Sequence, residues 1–142
     1  MIDIIPGIHT TGSALNAERI RQDAIAQNMA NSMNSRGPDG KIYQRQKVIF
    51  ENILMQQTGG GEGTLAGVAQ NEIAVRVETD PKPPRMVPDP SDPGKMKEVP
   101  DINVQQEMVD LIISQRTYEA NLAVAKSSKT MAMQTLGIGH RA

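Results

Sequence analysis

The sequence predicts an α+β fold: long N- and C-terminal helices form a coiled-coil-like pair, with a small β-hairpin module and a proline-rich loop inserted between them. Three observations lead there. Residues 13–34 and 101–136 carry apolar side chains at helical spacing and contain no glycine or proline. The stretch between them alternates β-branched and polar residues in the manner of half-buried strands. Seven of the nine prolines crowd into 81–100. The expected division is an N-terminal helical segment at 1–36, a β-rich module at 37–100 and a C-terminal helix at 101–142.

The N-terminal helix has two apolar sides. Ala14, Leu15, Ile25, Ala26, Met29 and Met33 gather on one, and Ala17, Ile20 and Ala24 fall nearly opposite, with polar residues between. Such a helix needs a neighbour on each side; one can be the chain's own C-terminal helix and the other a different subunit. In the middle, Gln46–Leu54 and Glu72–Thr79 read as strands. Gly59–Gly63 marks a flexible break, and Thr64–Val68 has room for one short strand. Pro81–Pro93 is expected to give no regular ladder, because each proline removes a donor.

The C-terminal helix carries the clearest pattern. Val104, Met108, Leu111, Tyr118, Leu122, Ala125, Ala132 and Leu136 follow a 4-3 spacing interrupted only by Gln115 and Lys129. Val109, Ile112, Ala120, Ala123 and Val124 add a second strip. Asn103 with Gln106 suits a capping box at the start, and Gly137 suits the position just past the last turn. A helix of roughly 33 residues would be about 50 Å long at ~1.5 Å per residue, too long to fold into a compact core of this size. Both termini are expected to fray in the isolated subunit.

Composition narrows the function. A chain of 142 residues with 2% aromatics (Phe50, Tyr43 and Tyr118) has little material for a large core. Fifteen basic and sixteen acidic residues give a net charge of −1, which lacks the basic stripe of a nucleic-acid binder. The longest apolar run is four residues, Leu122–Ala125, so no direct membrane insertion is expected. The absence of cysteine removes disulfides, thiol catalysis and thiolate metal sites. The first residues, Met1–Pro6, lack the basic and apolar regions of a cleavable secretory signal.

No catalytic, cofactor-binding or metal site is expected. His9 and His140 lie near opposite ends, and neither has an acidic or histidine partner at useful spacing. The glycine run lacks the phosphate-loop pattern, and Asp80, Asp89, Asp92 and Asp101 do not have the spacing of a calcium loop. The helical charges, Glu18, Arg19, Arg21, Asp23, Glu107, Asp110, Arg116 and Glu119, are expected on solvated faces. Met29, Met33, Met108, Met131 and Met133 are either gap-filling core or an adaptable interface. Asn28, Asn31 and Asn121 would fix register if they lay inside a helical seam.

Two segments carry a resemblance. Ser13, Leu15, Ala17 and the run Ala26-Gln27-Asn28-Met29-Ala30-Asn31 are similar to the N-terminal motif of bacterial flagellar axial proteins. Asn103–Asn121, with Glu107-Met108, Arg116, Tyr118 and Ala120-Asn121, resembles their C-terminal motif and runs on to Leu136-Gly137. The short length, with Tyr43–Glu51 and Ala74–Pro81 in the middle, resembles a proximal rod subunit of that family. The resemblance implies a structural, non-enzymatic subunit of the flagellar basal-body rod, exported through the flagellar type III apparatus and assembled across the periplasm. Its implied partners are other copies of itself, rod proteins of the FlgB, FlgF and FlgG type, and the rod-to-membrane-ring adaptor, with no cofactor. The apolar stripes and the two motifs together put Leu15, Ile20, Ile25, Asn28, Met29, Met33, Val104, Met108, Leu111, Ile112, Tyr118, Asn121, Leu122 and Leu136 at the assembly interface. The competing reading is a cytoplasmic helical adaptor or export chaperone for flagellar subunits.

Overall fold

A computed structural model describes residues 6–34, 36–37, 39–55 and 70–139. The elements run α1 (Pro6–Asn31), β1 (Arg45–Met55), β2 (Gln70–Asp80), β3 (Arg85–Pro88), β4 (Met96–Val99) and α2 (Val104–Gly139), an α+β arrangement. The glycine run 59–63, the stretch 64–68 and His140 lie outside the described residues, so the expectations placed on them do too.

α1 begins seven residues ahead of the segment that periodicity marks. Pro6 stands at its first position, where a missing N–H costs nothing and the fixed φ already suits a helix. The helix closes at Asn31, after which both the N–H and the Oγ of Ser32 turn back to the Met29 carbonyl, at 3.3 and 2.7 Å. α2 is capped by Asn103, whose Oδ1 accepts from the backbone N–H of Gln105 at 3.1 Å and of Gln106 at 3.3 Å. Its 36 residues span about 54 Å at ~1.5 Å per residue. Gly137 does not end it, because glycine inside a helix costs only about 1 kcal/mol relative to alanine.

β1 and β2 form an antiparallel hairpin in which Arg45 faces Asp80 and Met55 faces Gln70. Residues alternate between its faces. One face carries Val48, Phe50, Val75 and Val77. The other carries Lys47, Glu51, Arg76 and Glu78, with Arg76 bonded to Glu51 and Glu78 at 3.1 and 3.0 Å. α1 packs against α2 on one side and both hairpin strands on the other. It crosses the hairpin diagonally. Near its start the Ser13 Oγ accepts from the Ile73 N–H at the outer edge of β2, and near its end Asn28 bonds the Gln46 backbone at the outer edge of β1.

The proline-rich stretch does supply a ladder, contrary to the sequence expectation. β3 pairs with β4 from Arg85 opposite Val99 to Pro88 opposite Met96. The adjoining Asp89 N–H donates to the Lys95 carbonyl at 2.9 Å. Hydrogen-bonded and non-bonded pairs alternate in an antiparallel ladder, so Pro88 sits at a non-bonded pair where no N–H is required. The turn closes through Gly94 at φ 110°, a conformation in which a Cβ would be strained. This second hairpin is tied to the end of α1 by Arg36–Glu98 at 3.2 Å and by Lys97 reaching the Met33 carbonyl at 3.4 Å.

Among the described residues the buried apolar side chains are few: Ala17, Ala24, Ile25, Val99 and Ile102. With so thin a core, local devices weigh heavily on stability. Asn103→Ala should lower the free energy of unfolding by ~1 kcal/mol through loss of the cap, and Asn103→Asp should restore most of it. The urea midpoint followed by far-ultraviolet circular dichroism measures both.

Candidate functional site

Two surfaces dominate the molecule: a polar seam that closes it and an apolar stripe that it leaves open. The seam centres on Glu107, in the first turn of α2, where the helix N-terminus favours a carboxylate. Glu107, Asn28 and Ser114 are each at most 1% exposed. Arg45 Nε donates to Glu107 Oε1 at 2.6 Å, and Asn28 Nδ2 donates to Oε2 at 3.0 Å. Arg45 also reaches Asp110 at 3.9 Å.

Asn28 uses its full hydrogen-bonding capacity. Nδ2 donates to the Gln46 carbonyl at 2.9 Å as well as to Glu107, while Oδ1 accepts from the Gln46 N–H at 2.8 Å and the Tyr43 hydroxyl at 3.0 Å. The side-chain amide thus does for Gln46 what a neighbouring strand would do. Burial, followed by the Glu107 carboxylate, pushes the Tyr43 phenol above its usual range.

Farther along the seam, Ser114 Oγ donates to Glu18 Oε2 at 2.6 Å, and Arg21 approaches the same oxygen at 3.9 Å. Every buried side-chain polar atom among the described residues has a partner. Glu18 and Glu107 are therefore interior, not solvated as charge composition suggested. Each is buried because a donor on a facing element meets it.

The contacts 28–107 and 18–114 run antiparallel. Extrapolated along both helices, Pro6 falls opposite roughly residue 126 of α2. Met131, Met133 and Leu136 lie beyond that point and are more than half exposed.

The residues that the sequence put at an interface divide into two groups. Ile25 and Asn28 are buried inside the subunit, and Leu15, Ile20, Met29, Leu111, Tyr118 and Asn121 are half-buried. Met33, Met108, Ile112 and Leu136 are more than half exposed, and Val104 and Leu122 a little over one third. Val109, Ile113 and Val124 extend the exposed set. Apart from Asp110 and Thr117, which flank it, the residues of α2 that are buried or half-buried follow a 4-3 series of their own: Glu107, Leu111, Ser114, Tyr118, Asn121, Ala125, Ser128 and Ala132. Half of that series is polar, so hydrophobic periodicity finds Leu111, Tyr118, Ala125 and Ala132 and passes over Glu107, Ser114, Asn121 and Ser128 between them.

Sequence reading also missed Arg45, Tyr43, Gln46, Glu18 and Ser114. Glu18 stood out only as a member of a mixed-sign helix and Glu107 also through the C-terminal motif, while the β1 residues become partners only once 79 residues of separation between Asn28 and Glu107 are closed.

Beside the clasp, a cleft of about 300 Å³ lies between α1, β1 and α2, with Ile25 and Phe50 on its walls and Arg21, Lys47 and Asp110 at its rim. No group of three or more His, Asp or Glu placed to hold a metal occurs among the described residues, and no described helix is long and apolar enough to cross a membrane.

Residues 95–138, covering α2 almost to its end, match the family model for the flagellar basal body rod FlgEFG protein C-terminal region. Over nearly its whole length the chain is similar to the flagellar basal-body rod protein FlgC of Borreliella burgdorferi, at 33% identity across 95% of this chain and 97% of the relative. It is 36% identical to FlgC of Yersinia enterocolitica over 90% and 92% of the two chains. With FlgC of Salmonella typhimurium it shares 30% identity over the same proportions.

Two outcomes follow from the clasp. Arg45→Met should destabilise the fold by about 3 kcal/mol, because it strands a buried carboxylate; Glu107→Gln, which removes the charge, should cost less in the same chemical denaturation. In a Tyr118→Phe background Tyr43 is the one remaining tyrosine. Its ultraviolet titration should have a midpoint above ~10, and Glu107→Gln should bring it part of the way down. A raised folded-state value means that this contribution to stability is intact below pH ~10 and lost as pH rises through the folded value.

Proposed function

The chain belongs to the FlgC family of flagellar basal-body rod proteins, and from that premise we propose how it serves as a structural subunit of the rod. The terminal helices pack with those of neighbouring subunits in a coiled-coil-like manner, as a tubular drive shaft that transmits torque. The observation that carries this reading is the apolar stripe of α2 that the chain does not cover with its own residues: Met108, Ile112, Leu122 and Leu136. A run of large apolar side chains left in water marks a surface that neighbours cover.

Within the subunit, the polar seam fixes the register of α1 on α2, and the hairpins sit outside the helical layer. The neighbours are other copies of this chain and rod proteins of the FlgB, FlgF and FlgG type, with the membrane-ring adaptor at the base. Delivery is through the flagellar type III export apparatus, and the assembled rod crosses the periplasm. Stiffness is then a property of the lattice, because repeated interfaces stabilise helices that are individually marginal. The cytoplasmic adaptor reading is not favoured, since the relatives are named as rod proteins.

Ile112→Asp should leave expression and folding of the subunit intact, because the side chain is already more than half in water, and should abolish incorporation by forcing a charge into an apolar contact. Immunoblots of detergent-extracted basal bodies measure this. Normal incorporation of the variant would remove the stripe from the interface.

A further inference from the structure

We infer that the outer edge of β2 pairs with the same edge of a second copy, giving the free subunit a two-fold dimer built on a four-stranded sheet. This lies outside the rod contacts. A two-fold contact closes on itself and cannot propagate in one direction, so it belongs to the subunit before incorporation and must open when the subunit joins the shaft.

The register of the hairpin determines which backbone groups are free. Both backbone groups of Gln46 face Asn28 and turn away from β2, and Gln46 stands opposite Thr79. Pairs of this kind recur every second residue. The N–H and C=O of Val75, Val77 and Thr79 therefore point outward from the hairpin. The Ile73 N–H, in the same series, does so and is taken by Ser13. Among the described residues no hydrogen bond is recorded to the outward backbone groups of 75, 77 or 79. Among the described residues α1 bonds the edge of β2 at Ile73, and at the level of Thr79 it bonds the opposite edge of the hairpin. Val77 is 46% exposed, and Arg76, Glu78 and Thr79 are exposed beside it.

An open strand edge accepts any strand whose side chains suit it, and this one suits itself. Antiparallel pairing about a two-fold axis at Val77 sets Val77 against Val77 and Val75 against Thr79, all at hydrogen-bonded positions. It sets Arg76 directly opposite Glu78 of the other copy, twice, at the closer non-bonded positions where opposite charges attract across strands. The guanidinium of Arg76 already bonds Glu51 and Glu78 of its own chain but carries five donors. The ladder also ends where the groups end. The next bonded pair would be Ile73 with Pro81: proline has no N–H, and that of Ile73 is occupied. Five residues from each copy make a small, readily reversible contact.

The chain has no cysteine, so Val77→Cys introduces a single thiol at the axis. The two Cα atoms would lie about 5.5 Å apart, within the roughly 4.4–6.8 Å that a disulfide spans. Mild oxidation of purified Val77→Cys should yield a covalent dimer, while Met86→Cys, exposed on the other hairpin, should stay monomeric. Adding Arg76→Glu should suppress the cross-link, and adding Glu78→Arg to that variant should restore it. Val77→Pro, whose lost N–H plays no part in the β1–β2 ladder, should shift the untrapped protein to monomer in sedimentation without changing its circular dichroism. A cross-link at 77 no stronger than at 86, or a charge swap that fails to restore it, overturns the pairing. Either failure leaves the rod assignment intact, which rests on the α2 stripe.

Discussion

The arrangement of this subunit depends on the burial of one carboxylate. Glu107 cannot leave water without donors, and it takes them from two other elements: Arg45 on β1 and Asn28 on α1. Three segments distant in sequence are thereby held at one point. The start of α2 is fixed to the end of α1, and the hairpin is fixed to both. Breaking such a site is costly because the remaining charge stays buried. Keeping it specifies a register that an apolar seam of interchangeable Leu and Ala would define less sharply.

The placement of polar groups inside has a counterpart outside. Glu107, Ser114, Asn121 and Ser128 occupy one half of the inner series of α2, which leaves Met108, Ile112, Leu122 and Leu136 on the surface. In a monomeric globular protein that distribution would be inverted. In a subunit of a shaft it separates two tasks. Hydrogen bonds, directional and demanding of geometry, set the shape of each subunit; apolar area, tolerant and additive, is what the proposed assembly uses to join the subunits. The methionines fit that division. Met29 is half-buried between elements, whereas Met33, Met108, Met131 and Met133 lie exposed, where flexible side chains can adapt to neighbours that are not identical.

The long elements were legible because their patterns are local. Periodicity finds α2 and both long strands to within a few residues, and Asn103 announces the start of α2 through the capping preference of its type. What needed three dimensions stayed hidden. Pro88 looks incompatible with a ladder until its pairing parity is known. Gly137 looks like a stop until a helix simply continues through it. Glu18 and Glu107 resemble any other surface glutamates, because nothing nearby in sequence reveals that Ser114 and Arg45 will meet them. Asn28 was marked by its motif, but its part as a substitute strand for Gln46 was not. The apolar residues of α2 stand out in its sequence pattern, whereas the polar seam on the same helix does not.

The most direct test follows the methionines of the unmodified protein. Peroxide oxidation of the free subunit and of detergent-extracted basal bodies, read residue by residue by mass spectrometry, compares the same side chains in the two states. A subunit built as described should be recovered with the basal bodies, and Met108, Met131 and Met133, reactive in the free protein, should become protected there. Absence of the chain from basal bodies, or equal oxidation of those three methionines in both states, would contradict it.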